Sequence, residues 1–395
     1  MLLRLPSNRI IRSIGGIFML VVVYFRLPQL FFLSYAVRRS SHNLIDDINN
    51  STLGFEQIFV VGLPSRTDRR DGIYLQAALS NLSVEFIDGV NGKDIPDKAI
   101  PSSYDHERMN DASLGSWRAH MNAIQEVVRR NLTSALILED DVDWDIRLKR
   151  QLHDFALSAH ALTQPLKGSP GSYADPTYPN PSAKSPGKIP DIPFDHLPDT
   201  EPPTSSPYGD HWDLLWVGNC GFHFPFEDNK VIPKGRVIHS NDETVAQKRY
   251  LWALNIPFTL KEKYPQHTRA VHHVQEGVCT LGYAITQRSA QKLLYEVGLK
   301  DITQAFDLLM RYFCEGVEGR RYHNCLAVQP SLFHHHRTPG PISAESDMED
   351  HGDGFREKGY TDMVRWSVRL NAGVLLEGGN ATEFEDQYPD TNEED

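Results

Sequence analysis

Hydrophobic positions along this chain fall into two rhythms. Short, largely apolar runs at residues 57–63, 84–87, 135–138 and 212–218 predict strands, and the run at 135–138, apolar at consecutive positions, predicts one covered on both faces. Between them, over residues 113–130, Leu114, Trp117, Met121, Ile124 and Val128 recur at intervals of three and four. That spacing predicts a long helix burying one stripe. Residues 69–79 predict another helix, and residues 278–286 a further strand. The helix after that strand has Thr286 as N-cap, Leu293, Leu294 and Val297 on its apolar side, and Gly298 past its end. Strand, helix and strand in this order predict an α/β fold built on a mixed, mostly parallel sheet flanked by helices.

Residues 165–210 break the pattern with a mixture of Pro, Ser, Gly and Asp that cannot build a packed core, and predict a disordered surface insertion. The amino terminus carries Arg4, Arg9 and Arg12, then apolar runs at 14–25 and 30–37 separated by a polar break. Together these runs are long enough for a signal anchor at 14–37, with 1–13 as a cytosolic basic tail and 38–54 as a stalk. The expectation is a single-pass type II protein of the Golgi or ER membrane, with a lumenal main domain over 55–340. A C-terminal extension over 341–395 ends in an acidic, disordered tail. A cleaved signal peptide is the competing reading, although no clear small-residue cleavage site follows the first run. Sequons at Asn49, Asn50, Asn81, Asn131 and Asn380 suit a secretory route. Four cysteines, Cys220, Cys279, Cys314 and Cys325, permit two disulfides there, with Cys314–Cys325 the preferred pair, or four buried thiols. A net charge of -12 argues against a nucleic-acid partner.

The chemistry concentrates where the strand at 135–138 runs into Glu139, Asp140, Asp141, Asp143 and Asp145. Crowded carboxylates repel one another, so such a cluster calls for a cation or a shifted pKa. A hard divalent ion that accepts oxygen ligands while keeping positions open for phosphates meets that need, and ligands of α/β sheets bind at the carboxyl ends of strands. Asp141 and Asp143 have Asp-x-Asp spacing, and one imidazole of His334-His335-His336, taken as His334, either completes a metal site or belongs to a polar loop. Arg66, Arg69 and Arg70 stand at a strand-to-helix turn that suits phosphate oxygens or is simply a solvated basic first turn. Asp88, Gly89 and Lys93 follow the next strand, where an acid followed by glycines suits a ribose or base and equally a tight turn.

The ordered set Ser65-Arg66-Thr67-Asp68-Arg69-Arg70, Phe86-Ile87-Asp88-Gly89-Val90-Asn91-Gly92-Lys93, Leu114-Gly115-Ser116-Trp117-Arg118-Ala119-His120, Ala135-Leu136-Ile137-Leu138-Glu139-Asp140-Asp141-Val142, Trp212-Asp213-Leu214-Leu215-Trp216-Val217-Gly218 and Thr280-Leu281-Gly282-Tyr283-Ala284-Ile285-Thr286 resembles glycosyltransferase family 25. The resemblance implies a GT-A type, Rossmann-like fold. It implies an inverting transfer of a hexose, by default galactose from UDP-galactose, to a glycan or protein hydroxyl with help from a divalent ion such as manganese. Glu139, Asp140 and Asp141 match the family's Glu-Asp-Asp, and His120 its long-helix histidine. Inversion requires a general base, for which Asp307 and then Glu276 are the candidates. A P-loop hydrolase is excluded by the lack of a Gly-x-x-x-x-Gly-Lys-Ser/Thr motif. A catalytically inactive lumenal binding protein of the same fold is the alternative.

Overall fold

The computed structural model describes residues 43–101, 108–181, 189–348, 352–380 and 382–391. The chain lays down strands β1 (Gln57–Gly62), β2 (Glu85–Asp88), β3 (Ser134–Glu139), β4 (Val142–Trp144), β5 (Asp191–Pro193), β6 (Leu214–Gly218) and β7 (Arg236–His239). These are followed by β8 (Arg269–His273), β9 (Gly282–Thr286), β10 (Cys325–Gln329) and β11 (Phe333–Arg337), then β12 (Gly340–Pro341), β13 (Phe355–Arg356) and β14 (Tyr360–Thr361). Helices are α1 (Thr67–Leu79), α2 (Asp111–Arg129), α3 (Leu148–Thr163), α4 (Thr259–Lys263), α5 (Gln287–Leu293), α6 (Phe306–Glu315) and α7 (Ala372–Leu376).

Nine strands form one sheet in the order β2-β1-β3-β9-β6-β10-β8-β7-β5. The antiparallel pairings β3·β9, β6·β9, β10·β8 and β7·β8 leave β8 and β9 running against the other seven strands, so the sheet is mixed but mostly parallel. Strand alternation splits the core in two. Ile58, Val60, Leu136 and Leu138 face the side covered by α1 and α3, while Phe59, Val61, Ala135 and Ile137 face α2, α5 and α6. Helix α2 buries the anticipated stripe of Leu114, Trp117, Met121 and Ile124, and the Asn110 side chain caps its start by accepting from the Ser113 N–H at 2.8 Å. Thr286 caps α5 as expected, but the helix passes through Gly298 in a wider turn that runs to Lys300.

Three expectations change. In the described part of 165–210, Asp175, Thr177 and Tyr208 are fully buried and β5 extends the edge of the large sheet, so this segment is folded rather than disordered. Side-chain bonds tie it in: the Asp175 carboxylate accepts from the Thr177 N–H within the segment and from the Gly235 N–H outside it, each at 2.8 Å. The described end of the stalk is likewise packed, with Ile48 and Leu53 buried against the α3 side of the sheet. The C-terminal extension is part of the main body: β14 pairs with β11, and Arg365 holds Asp386 at 2.6 Å and Asp390 at 3.3 Å, which anchors acidic residues assigned to a free tail. The anchor at 14–37 lies outside the described residues; among those described, no helix is long and apolar enough to cross a membrane. Both disulfides form, Cys314–Cys325 and Cys220–Cys279.

Candidate active site

The parallel strands β1, β2 and β3 end together at Gly62, Asp88 and Glu139, and a cavity of about 430 Å³ opens over their carboxyl ends. That volume lies in the range of small-molecule sites. Its walls include Gly89, Lys93, His120 and the run Glu139, Asp140 and Asp141, together with Ser346 and Asp347 from the C-terminal part of the chain. Two glycines let the walls approach: a Cβ on Gly62 would meet the Asp140 carboxylate at 2.1 Å, and one on Gly92 would meet the Asp111 carbonyl oxygen at 1.8 Å.

At the acidic end of the cavity, Glu139, Asp141 and His335 bring one ligand atom each to within 4.8 Å of one another. The Oδ1 atom of Asp141 is buried without a hydrogen-bond partner, an orphaned acceptor that a cation would satisfy. Two carboxylates and an imidazole, all half-buried, fit a divalent ion that keeps further positions open. Glu139 is held from behind. The Thr280 hydroxyl donates to Glu139 Oε1 at 2.7 Å and therefore accepts from His120 Nε2–H at 3.2 Å, which leaves His120 Nδ1 to accept from Tyr283 Oη–H at 3.2 Å. Phe306 stacks on the imidazole with ring centres 4.5 Å apart. Tyr283, His120 and Thr280 thus form a relay that aims Glu139.

One guanidinium serves two acids. Arg69 lies 2.7 Å from Asp140 and 3.4 Å from Asp141. Burial pushes the Asp140 carboxyl up to about 6 against the pull of Arg69, with the neighbouring charges of Asp141 and Glu139 adding to the rise. Burial also opposes ionisation of Asp141, but His335, Arg69, Arg337 and Arg369 outweigh it and hold this carboxyl below its ordinary value. Of these two acids, the one whose carboxyl is held low is thus the member of the candidate metal group.

Two predicted metal ligands lie elsewhere. Strand β11 pairs antiparallel with β4, setting His334 opposite Asp143 and His335 opposite Val142. Alternation then places Asp143 on the face of His334, His336 and Thr361, and His335 on the other. Asp143 is fully buried and saturated by Gln76 at 2.8 Å, Thr361 at 2.6 Å, the Trp144 N–H at 2.7 Å and the Ser367 hydroxyl. Burial raises its pKa. His334 is also buried, donates from Nε2 to the Ser331 carbonyl at 3.1 Å, and is pushed down to about 3 by burial.

The arginine turn is in place but its members are engaged by acids. Arg66 binds Asp68 at 2.8 Å and Asp347 at 2.7 Å, and Arg70 binds Asp88. Asp307 accepts from the Cys279 N–H at 3.0 Å and the Leu308 N–H at 2.8 Å, and Glu276 pairs with Arg311 at 2.9 Å. Neither acid lines the cavity. Asp307 instead fixes the turn that carries Thr280. Sequence reasoning missed His335 and Thr280. The triple histidine marked the strand without giving its phase, and a threonine beside a glycine-tyrosine pair carried no charge to notice.

The fold and site define an α/β protein of GT-A type. Residues 55–167, which span β1 through α3, match the profile of glycosyltransferase family 25 (LPS biosynthesis protein), and over this segment the chain is family 25-like. Procollagen galactosyltransferase 2 of Mus musculus is 26% identical over 111 residues, covering 25% of this chain and 18% of the relative. Procollagen galactosyltransferase 1 of Danio rerio is 29% identical over 113 residues, covering 26% and 19%. The inactive glycosyltransferase 25 family member 3 of Homo sapiens is 26% identical over 133 residues, covering 30% and 22%. The chain thus spans only about a fifth of the length of the curated relatives it matches.

Proposed function

We propose that this protein is a glycosyltransferase that moves a hexose, with galactose the first candidate, from a nucleoside diphosphate donor to a glycan or protein hydroxyl. The observation that carries the reading is the meeting of Glu139, Asp141 and His335 at the acidic end of the cavity. A bound manganese or similar ion would supply Lewis-acid neutralisation of the leaving diphosphate. Glu139, Asp141 and His335 would hold it, while the Thr280 relay orients Glu139. Lys93, an exposed wall residue, supplies a cation for the donor, whereas Arg66 must exchange Asp347 for phosphate before it contributes. The two disulfides support placement in an oxidising compartment, and the proposal includes a lumenal position in the ER or Golgi. The relatives include an inactive one at comparable identity, so a sugar-nucleotide-binding protein without turnover is the second reading.

The test is incubation of purified protein with manganese and a panel of nucleotide sugars, scoring free nucleoside diphosphate, beside calorimetry with manganese and UDP. Release from one donor that is lost in Asp141→Asn supports the enzyme. Binding without release selects the second reading, and neither binding nor release rejects both.

A further inference from the structure

His335 does not line the cavity, yet it belongs to the group that would hold the ion. His335 is joined to Asp362: its carbonyl accepts the Asp362 N–H at 3.1 Å, and its side chain interacts electrostatically with the Asp362 carboxylate. That carboxylate in turn accepts the side-chain N–H of Trp252. The backbone N–H of Trp252 is also held, by the Met363 sulfur at 3.4 Å. A line of contacts therefore runs from the metal-binding group to an indole whose polar end is anchored while 37% of the residue stays exposed, outside the donor cavity.

A single exposed apolar side chain is ordinary surface. Trp252 differs because its indole N–H is tied to Asp362, and because Asp362 in turn pairs with the strand that carries His335 of the candidate metal group. An aromatic ring held this way offers a rigid, amphipathic face at little entropic cost. A group transferred from the ion-bound diphosphate must meet its acceptor on a side the donor does not fill. Trp252 stands on such a side. The apolar C–H face of a pyranose matches an indole face, and its hydroxyls match the polar groups around it.

Resting on the glycosyltransferase reading above, we propose that Trp252 is the acceptor platform: its indole stacks on the pyranose ring of a carbohydrate acceptor, and Asp362 is a positioning residue that holds Trp252 and His335 in a common frame. The acceptor is then a sugar rather than an unglycosylated protein hydroxyl.

The probe is methyl β-galactopyranoside or methyl α-glucopyranoside, titrated against tryptophan fluorescence of the protein loaded with manganese and UDP. Calorimetry first establishes that the wild type and Trp252→Phe bind manganese and UDP with affinities within about twofold, which also shows that the variant is folded. The expected result is a saturable, glycoside-dependent change in the wild type that is absent in Trp252→Phe. In Trp252→Ala, glycoside competition or transfer should require about tenfold more glycoside. Identical responses in wild type and Trp252→Phe, or no response in wild type that binds manganese and UDP, overturn the proposal while leaving the enzyme reading intact. Failure of the wild type to bind manganese and UDP is instead the failure of that reading. Asp362→Asn should weaken both the glycoside response and manganese binding, because it touches both residues; loss of neither removes Asp362 from the frame.

Discussion

Thr280 lies in the turn before β9 and Glu139 ends β3, two strands that pair antiparallel, and the threonine hydroxyl donates to the glutamate at 2.7 Å from outside the candidate metal group. This contact sets the direction of a carboxylate that has the freedom to turn elsewhere. Replacing Thr280 by Val keeps the shape and removes the donor. Manganese affinity should fall about tenfold or somewhat more, as for other groups that orient metal ligands, with the melting temperature little changed. Calorimetry with manganese is the check, and unchanged affinity refutes the orienting role.

Asp141 and Asp143 should separate function from stability. Asp141→Asn should abolish manganese binding and leave a folded protein. Asp143→Asn should do the reverse, since it disturbs a fully buried carboxylate held by Gln76, Thr361 and Ser367. A loss of about 2–4 kcal/mol is expected from disruption of a buried polar network. Urea unfolding beside metal titration distinguishes the two, and loss of manganese binding in a stable Asp143→Asn protein would return that residue to the metal site.

Asp140 should give the metal-free protein a pH dependence. Its folded pKa is raised from 3.8 to about 6, so the fold favours the protonated acid. The resulting stability is fully present below about pH 4 and is lost as pH rises through about 6. The rise corresponds to at most about 3 kcal/mol. Unfolding followed between pH 4 and 7 with a chelator present should show this decline, and Asp140→Asn should flatten it. An equal slope in both proteins assigns the effect to another group.

The Cys220–Cys279 bridge ties the loop after β6 to the turn that carries Thr280, and Asp307 holds the same turn through the Cys279 N–H. A Cys220→Ser, Cys279→Ser double variant should therefore lose both stability, by about 2–4 kcal/mol, and manganese affinity. The Cys314→Ser, Cys325→Ser pair should lose stability alone. Equal manganese affinity in the two double variants removes the first bridge from the site.

Much of the sheet was legible because its central strands are apolar at consecutive positions, as Ala135 to Leu138 show, and because α2 buries a regular stripe. The acidic cluster was legible for the opposite reason: charge at the end of such a strand has no packing role. What could not be read was direction. Asp143 obeys the Asp-x-Asp spacing, yet Thr361 and Ser367, more than two hundred residues later, satisfy it inside the protein. The proline-dense segment misled in the same way, because its own side chains find partners far along the chain, as the Asp175 carboxylate does at the Gly235 N–H.

The short pairing of β4 with β11 has a consequence for how this site tolerates change. Three consecutive imidazoles mean that a slip of one position along β11 still presents a histidine toward Glu139 and Asp141, so the chemical identity of the exposed ring survives. Its support would not: the Asp362 N–H now meets the His335 carbonyl, and the His336 ring meets the Thr361 hydroxyl at 2.9 Å. Insertions or deletions in the loop before Phe333 should therefore yield proteins that still carry a ligand set but hold it slackly.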